Sequence, residues 1–318
     1  MPQDGTMKAL ALQGFDTRAA VIDVPVPEPG PGEVLVRVLA ASVNAYDVAV
    51  AMGMMKDYLP YGFPAVIGMD VAGVVERAGE GVDRLAEGDR VFGRMGNKPA
   101  IHDGSFGERA TPQAAALAIT PGNVNDEQAG SLGVAGTTAK SAIDALELTQ
   151  GATVLVVGAT GGVGTFAVQL AALDGARVLA SARPGDEASL TELGAAEVVD
   201  YTQDLGAEIR RRYPNGVDAV LDFVNRDPSA FGALAALARP GGRAVSAVGG
   251  AGEATELDGV TVANVGSDEA HLAPLAALVA DGKLRALIQQ AYPLARAAEA
   301  LEDFTAQHTL GKRVITMP

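Results

Sequence analysis

The sequence predicts an α/β protein in which an antiparallel, barrel-like β domain is followed by a domain with a parallel, doubly wound sheet. From residue 8 to about residue 121, short β-rich segments alternate with turns, a spacing typical of antiparallel barrels. From residue 125, apolar strands alternate with helical patterns, and this βαβ rhythm is typical of a parallel sheet covered by helices. A chain of 318 residues is long enough for both domains.

The first stretch contains β segments and one interruption. The turn-rich segment PEPGPGE occupies residues 27–33, and residues 45–52 are predicted as a short helix. The predicted strands are KALAL, AAVIDVPV, GEVLVRVLAASVN, VAGVVERAG and DRVFG.

The second stretch opens with the predicted helix GVAGTTAKSAIDALEL. The strands that follow are TVLVV, ARVLAS, AEVVDY, GVDAVLDFV and RAVSAVGG, and the helices between them are GGVGTFAVQLAALDG, DEASLTELG, DLGAEIRRRY and PSAFGALAALA. Residues 271–318 contain the helical patterns HLAPLAALVADGKL and PLARAAEALEDFTA and a closing apolar segment, RVITM. A last strand placed there can return to the sheet of the first domain, which would make the second domain an insertion.

The composition excludes several classes of function. Asp and Glu total 39 against 24 Lys and Arg, so the net charge of -15 repels phosphate backbones and anionic lipid, and we expect neither nucleic acid nor membrane as a partner. The chain has no cysteine, which excludes disulfides and thiolate catalysis. The N-terminal segment MPQDGTMKALAL is acidic where a signal peptide needs positive charge, and no run of about 18 apolar residues occurs, so we expect a cytoplasmic protein.

The strongest local signal for a ligand is the glycine-rich turn VLVVGATGGVG at residues 154–164. It follows an apolar strand and opens a helix, whose N-terminal N–H groups attract phosphate. Gly161 lets the backbone approach a pyrophosphate, and Gly164 permits close packing of helix on strand. Ala159 replaces the usual first glycine, so the prediction of dinucleotide binding rests on the position of the turn in the βαβ series. The alternative is a tight turn without a ligand.

The end of the next strand favours NADPH over NADH. An NAD site places a carboxylate about 20 residues after the turn to bind the ribose hydroxyls. Here the strand ends in Ser181-Ala182-Arg183, and no carboxylate precedes Asp186. Ser181 and Arg183 can bind the 2'-phosphate of NADPH by hydrogen bonding and charge. The alternative is that Arg183 is a solvated loop arginine.

Seven segments spread over nearly the whole chain resemble, in the same order, segments of the medium-chain dehydrogenase/reductases. They are GEVLVRVLAASVNAYD, FPAVIGMDVAGVVERAG, GDRVFG, GSFGERATP, GVAGTTAKSAI, VGATGGVG and GKRVITMP. The resemblance implies a GroES-like catalytic domain at residues 1–122, completed by residues 267–318, and a Rossmann NADP-binding domain at residues 123–266. It also implies an active site in the cleft between them, and we expect a homodimer.

The positions that hold zinc in metal-dependent members of that family carry other residues here. Asn44 stands where the first cysteine would be, and Met69-Asp70 stand where a His-Glu pair would be. The chain has no cysteines for a structural zinc lobe, and its three histidines lack ligand spacing. We therefore predict no metal. The chain resembles the zinc-free branch, which contains quinone oxidoreductases, alkenal reductases and polyketide-type enoyl reductases.

The resemblance further implies NADPH as the cofactor and a set of lining residues. Val248 and Gly249 would lie near the nicotinamide, and Lys312 near the pyrophosphate, with a surface lysine as the alternative. The full set is Thr138, Gly161, Gly162, Val163, Ser181, Arg183, Tyr201, Val248, Gly249 and Lys312.

Without a Lewis acid, hydride transfer needs an acceptor that is already electrophilic, such as a quinone or an enone. Asn44, Tyr46 and Asp47 follow a strand that reaches the cleft in the family, and we predict them as the catalytic residues. Asn44 would donate to the substrate oxygen or hold the cofactor, and Tyr46 would donate or pass a proton. The structural alternatives are that Asn44 caps the short helix, that Asp47 stabilises its first turn, and that Tyr46 packs.

The predicted function is therefore NADPH-dependent reduction of a quinone or a similar small conjugated carbonyl. Tyr58, Tyr61 and Phe63 are candidates for an aromatic wall against a flat substrate, or for packing of their loop. An enoyl or alkenal reductase and a non-catalytic NADPH-binding protein are the alternatives. Separate quinone and enone substrates distinguish among the three.

Overall fold

A computed structural model describes residues 5–318, which form two compact units. The first comprises residues 5–134 together with Leu272–Gly282 and Ile288–Pro318, and the second comprises Ala135–His271 and Lys283–Leu287. The cytoplasmic location is expected from an N-terminal segment, and the first four residues of that segment lie outside the described range.

The strands and helices are labelled in chain order. The strands are β1 (Thr6–Leu12), β2 (Ala20–Pro25), β3 (Val34–Ser42), β4 (Ala65–Val66), β5 (Asp70–Ala78), β6 (Arg90–Arg94), β7 (Arg109–Ala110), β8 (Leu117–Ile119), β9 (Thr153–Val157), β10 (Arg177–Ala182), β11 (Glu197–Asp200), β12 (Val217–Asp222), β13 (Ala238–Ser246), β14 (Glu256–Leu257), β15 (Val260–Asn264), β16 (Ile288–Pro293) and β17 (Lys312–Thr316). The helices are α1 (Ala45–Ala51), α2 (Asp126–Ala129), α3 (Thr137–Leu146), α4 (Gly162–Leu173), α5 (Glu187–Glu192), α6 (Leu205–Arg212), α7 (Pro228–Ala235), α8 (Leu272–Ala280) and α9 (Ala297–Ala306).

The first unit is built from antiparallel β structure, as the spacing of its segments predicts. One sheet has the order β2-β1-β4, and a second has the order β16-β17-β3-β5-β6-β8, with β7 also paired to β3. Val34, Val36 and Val38 of β3 are almost fully buried, whereas Arg37 between them is exposed. Alternate residues of a strand point to opposite faces, so β3 contributes one apolar face to the core of this unit.

The C-terminal strand returns to the first unit. Residues of β17 pair with β3 in antiparallel register, with Val314 opposite Ser42 and Thr316 opposite Ala40. The predicted return of a last strand is therefore confirmed. Its parallel neighbour β16 was not predicted, because the sequence of this edge strand has no clear apolar alternation.

The first unit extends further along the chain than residue 122, the predicted end of the first domain. Residues of α2 lie against β3 and β5, and the Ser42 N–H donates to the Gly130 oxygen at 3.1 Å. This packing keeps the segment around α2 with the antiparallel sheet.

The second unit contains the predicted parallel sheet. Its strand order is β11-β10-β9-β12-β13-β15-β14, in which only the edge strand β14 is antiparallel to its neighbour. The apolar run of β9, residues 154–156, has no exposed surface, as expected for a strand covered by helices on both faces. The strand order reverses between β9 and β12, and ligands of such sheets bind at the carboxyl ends of the strands at this point. The predicted α/β fold class is confirmed.

Within residues 5–318, no helix combines the length and the apolar composition needed to cross a bilayer.

Candidate active site

A cavity of about 360 Å³ lies in the first unit, beside α1. Tyr46, Asp47 and Val50 line one side of it, because residues one turn apart on a helix share a face. Met69 and Met95 line another side, and the Met95 N–H donates to the Met69 oxygen at 2.8 Å. The remaining wall is mostly aliphatic, so the cavity is an apolar pocket with a few polar groups, the usual composition of a small-molecule site.

Behind this wall lies a set of hydrogen-bonded side chains, called here the polar cluster. Asn44 occupies the position before α1, where it is 7% exposed. Its amide nitrogen donates to the Ser42 oxygen at 3.3 Å and to Asp70 Oδ2 at 2.9 Å. Its amide oxygen accepts from Lys312 Nζ at 2.7 Å. The cluster consists of Ser42, Asn44, Asp47, Asp70 and Lys312.

Asp70 accepts hydrogen bonds at both of its carboxylate oxygens. The Ser42 hydroxyl donates to Oδ2, and the Val134 N–H donates to Oδ1 at 2.6 Å. Lys312 Nζ lies 3.7 Å from Oδ2 and also donates to the Val43 oxygen at 3.1 Å. Asp70 has no exposed surface, and burial of a carboxylate is tolerated when charge-assisted hydrogen bonds and a cation surround it.

Asp47 is the second buried carboxyl group of the polar cluster. Its Oδ2 accepts the Asn44 N–H at 2.7 Å, while its Oδ1 has no hydrogen-bond partner among the described residues. The pKa of Asp47 is raised to about 8, chiefly by burial and also by the nearby Asp70 charge, while the Asn44 N–H and Lys312 oppose the shift. Asp47 is therefore protonated at neutral pH, and Lys312 has Asp70 as its anionic partner.

Burial also shifts the pKa values of Tyr46 and Lys312. The pKa of Tyr46 is raised, chiefly by burial and then by the proximity of Tyr61 and Asp47, so its phenol stays a hydrogen-bond donor at neutral pH. The pKa of Lys312 is lowered by burial, and the charges of Asp70 and Asp47 oppose that shift.

The structure brings the three predicted catalytic residues together but assigns Asn44 a different set of partners. Both N–H groups of its amide are used within the polar cluster, which leaves none to donate to a substrate oxygen. Lys312 is 3% exposed and donates inside the cluster, so it is not the surface lysine of the alternative, and its proximity to a pyrophosphate stays a prediction. Ser42 was not predicted at all, since a serine at a strand end carries no recognisable signal.

The aromatic segment does not line the cavity. Tyr61 and Phe63 pack edge to face or tilted against each other and Phe15, with ring centroids 5.0–5.8 Å apart, and the Tyr61 hydroxyl donates to the Val50 oxygen at 3.1 Å. Tyr58 is 78% exposed. Tyr61 and Phe63 therefore follow the loop-packing alternative, because their rings contact each other and Phe15.

In the second unit, the glycine-rich turn joins β9 to α4 as predicted. A Cβ on Gly164 would lie 2.1 Å from the Gly158 oxygen, so only glycine permits this close contact of helix and turn. Gly161 is the residue before α4, and no side chain caps the helix. The N-terminal N–H groups of α4, which begins Gly162-Val163, therefore stay available to an anion.

The residues predicted to select NADPH lie at the carboxyl ends of the neighbouring parallel strands β10 and β11. Arg183 Nε donates to the Tyr201 hydroxyl at 2.9 Å, and both side chains are exposed. Ser181 is 1% exposed, and its hydroxyl accepts the Gly158 N–H at 3.1 Å. Ser181 thus ties the glycine-rich turn to β10, while Arg183 and Tyr201 form an exposed pair.

The other predicted cofactor residues are spread over the second unit. Val248 and Gly249 follow β13, where the Val248 N–H donates to the Ser246 hydroxyl at 3.2 Å. Gly249 is exposed and has a φ of 86°, a conformation that favours glycine. Thr138 lies in the first turn of α3 and is 6% exposed.

Within residues 5–318, no three histidine, cysteine, aspartate or glutamate side chains lie together in a way that could hold a metal ion.

Comparison with known families and proteins agrees with this geometry. An alcohol dehydrogenase GroES-like domain model matches residues 30–142, and a zinc-binding dehydrogenase model matches residues 193–315. A chloroplastic quinone oxidoreductase of Triphysaria versicolor is 30% identical over 97% of this chain and 98% of its own length. An NADPH-dependent alkenal/one oxidoreductase of Arabidopsis thaliana is 29% identical over 95% of this chain and 76% of its own.

The solved structures point the same way. The quinone oxidoreductase from Coxiella burnetii superposes with a TM-score of 0.85 at 27% identity, covering 98% of this chain and all of that one. The chain is therefore an oxidoreductase of the medium-chain dehydrogenase/reductase superfamily, a family that binds nicotinamide cofactors, and it belongs to the quinone-oxidoreductase-like part of that family.

Proposed function

We propose that the protein is an NADPH-dependent, zinc-independent oxidoreductase that reduces a quinone or a similar conjugated carbonyl. The observation that carries this proposal is the occupancy of the polar cluster by Lys312. Its amino group donates to the Asn44 amide oxygen and pairs with Asp70. Asn44 and Asp70 stand at sequence positions that hold zinc in metal-dependent relatives, so a protein cation already neutralises the oxygen atoms that a metal would need. An acceptor bound in the adjacent cavity then has to be electrophilic without help from a metal.

The second unit offers a fitting site for NADPH. The uncapped N-terminus of α4 and the side-chain-free Gly161 suit a pyrophosphate. The exposed Arg183 and Tyr201 pair suits the 2'-phosphate, because a guanidinium and a phenol can both donate to it. When bound, NADPH would supply the hydride.

The residues of the first unit would bind the acceptor and stabilise charge on it. The Tyr46 phenol, protonated at neutral pH, can donate a hydrogen bond to an acceptor oxygen in the cavity as negative charge develops. Asp47, also protonated, places no opposing charge beside it. Asn44 is a positioning residue, since its amide links Lys312 and Asp70 to the start of α1, on which Tyr46 and Asp47 lie.

An alkenal or enoyl reductase is the second candidate function. It is favoured by the similarity to the Arabidopsis alkenal/one oxidoreductase, and the same cavity and cofactor site would serve it. A non-catalytic NADPH-binding protein is the third. The homodimer, the cytoplasmic location and the absence of nucleic acid and membrane partners stay predictions.

A panel of acceptors tests the proposed function. With NADPH oxidation followed optically, we expect reduction of quinones and conjugated enones to exceed alcohol oxidation with NADP⁺ by a wide margin, because no metal is needed to polarise the acceptor. Quinone turnover above enone turnover supports the first candidate, and the reverse supports the second. Alcohol oxidation as the dominant activity would contradict both, and NADPH binding without turnover of any substrate would support the third.

A further inference from the structure

We propose that the cavity beside α1 admits uncharged acceptors of one or two rings, and that Met69 and Met95 set this limit. The inference rests on the proposed reduction of conjugated carbonyls and names the acceptor class. It concerns the ring system and any charged group attached directly to it, whereas long uncharged side chains can extend through the mouth of the cavity.

The volume sets the size of the ring system. A cavity of about 150 Å³ is sufficient for benzene in a protein interior. The cavity here measures about 360 Å³, which corresponds to roughly two such rings and lies at the small end of ligand pockets, about 300–1,000 Å³. Scaled by non-hydrogen atoms, a naphthoquinone nucleus of 12 atoms needs about 300 Å³ and fits this space, whereas a three-ring quinone of 16 atoms needs about 400 Å³ and exceeds it.

Met69 and Met95 are the two methionine side chains of the lining, and shortening either one enlarges the space available to a ring. Met69 precedes β5 and is partly exposed toward the cavity, whereas Met95 follows β6 and is 2% exposed. Their backbones are hydrogen-bonded to each other, and the Gln113 N–H donates to the Met95 oxygen at 3.2 Å. The backbone of this wall is therefore fixed, and truncation of a methionine side chain is the direct way to enlarge the cavity.

The charges around the cavity disfavour an anionic acceptor. Lys98 is the cationic residue in the lining, and its amino group lies 2.9 Å from a Glu33 oxygen and 3.5 Å from Asp103 Oδ2. Two carboxylates thus accompany one ammonium. An anionic ligand would lose its hydration without gaining a free cation, whereas an uncharged ligand avoids this cost.

The test uses quinones with one, two and three fused rings and a sulfonated naphthoquinone. Because these acceptors differ in intrinsic reactivity, the quantity compared is the ratio of kcat/KM between variant and wild type for each acceptor. Met69→Ala is expected to raise the variant-to-wild-type ratio of kcat/KM for the three-ring quinone about tenfold or more above the same ratio for the one-ring quinone. Wild type should reduce the sulfonated naphthoquinone about tenfold less efficiently than the parent compound.

Met54→Ala is the matched control, since Met54 is 60% exposed and does not line the cavity. Met95→Ala is a second enlarging variant that keeps the test valid if Met69→Ala fails to fold. Equal ratios across the ring series for the enlarging variants and the control would overturn the proposal, as would equal use of the sulfonated and parent quinones. If wild type reduces none of the quinones, the proposed function itself fails. If wild type is active but the kcat/KM ratios do not change with the number of rings, only the size limit fails.

Discussion

Arg183→Ala is expected to lower the preference for NADPH over NADH by about ten- to hundredfold while NADH use stays nearly unchanged. A hydrogen bond to a charged group contributes roughly 1.5–3 kcal/mol, and each 1.4 kcal/mol is about tenfold in affinity. Only the phosphorylated cofactor presents a partner for this guanidinium. The structure supports the assignment, because Arg183 is exposed at the end of β10 and is oriented by the Tyr201 hydroxyl.

The measurement is kcat/KM for both cofactors at fixed ionic strength, since contacts between exposed charges are screened by salt. Arg177→Ala provides a control at the other end of β10, where Arg177 pairs with Glu197 at 2.7 Å. Tyr201→Phe should lower the preference for NADPH less than Arg183→Ala does. It removes one neutral hydrogen-bond donor and the hydroxyl that orients Arg183, but it leaves the guanidinium charge in place. A wild type that prefers NADH, or an Arg183→Ala variant that weakens both cofactors equally, would remove Arg183 from the cofactor site.

Lys312→Met is expected to lower the free energy of unfolding of the first unit by about 3–5 kcal/mol, the usual cost of removing one partner of a buried ion pair. The substitution keeps an unbranched side chain of similar length but leaves Asp70 buried without its cation. It also leaves the Asn44 amide oxygen and the Val43 oxygen without their donor. A surface lysine would not have this effect on stability.

Urea unfolding followed by circular dichroism measures this loss, with Lys56→Met as the control for an exposed lysine, which should change stability by less than about 0.5 kcal/mol. Adding Asp70→Asn to Lys312→Met should restore part of the loss, because the two substitutions remove both charges together. If Lys312→Met is as stable as the Lys56→Met control, the polar cluster does not depend on Lys312.

The parts of the structure that were predicted correctly depend on local sequence. The apolar strand, the glycines and the helix of the dinucleotide-type turn follow one another within residues 154–173, so the pattern and the observed β9-turn-α4 unit coincide. Arg183 and Tyr201 end neighbouring parallel strands, and strand ends of a parallel sheet meet at one edge. Their proximity therefore follows from the order of the strands.

The polar cluster depends instead on contacts between distant parts of the chain. Lys312 and Asn44 are 268 residues apart, and no periodicity indicates that a lysine at the start of the last strand points into the first unit. Resemblance to the family located Asn44 and Asp70 but not the cation between them. The packing of Tyr61 and Phe63 on Phe15 likewise could not be predicted from the sequence, since Phe15 lies in a separate loop.

A single-turnover measurement on chelator-treated protein, with NADPH and with NADPH deuterated at the transferred position, tests zinc-independent hydride transfer most directly. We expect NADPH to be oxidised when a quinone or enone is added, with no metal supplied, and the oxidation to be slower with the deuterated cofactor, because the hydride moves directly to the acceptor. Oxidation that appears only after zinc is restored, or no oxidation by either acceptor, would contradict the proposed zinc-independent hydride transfer.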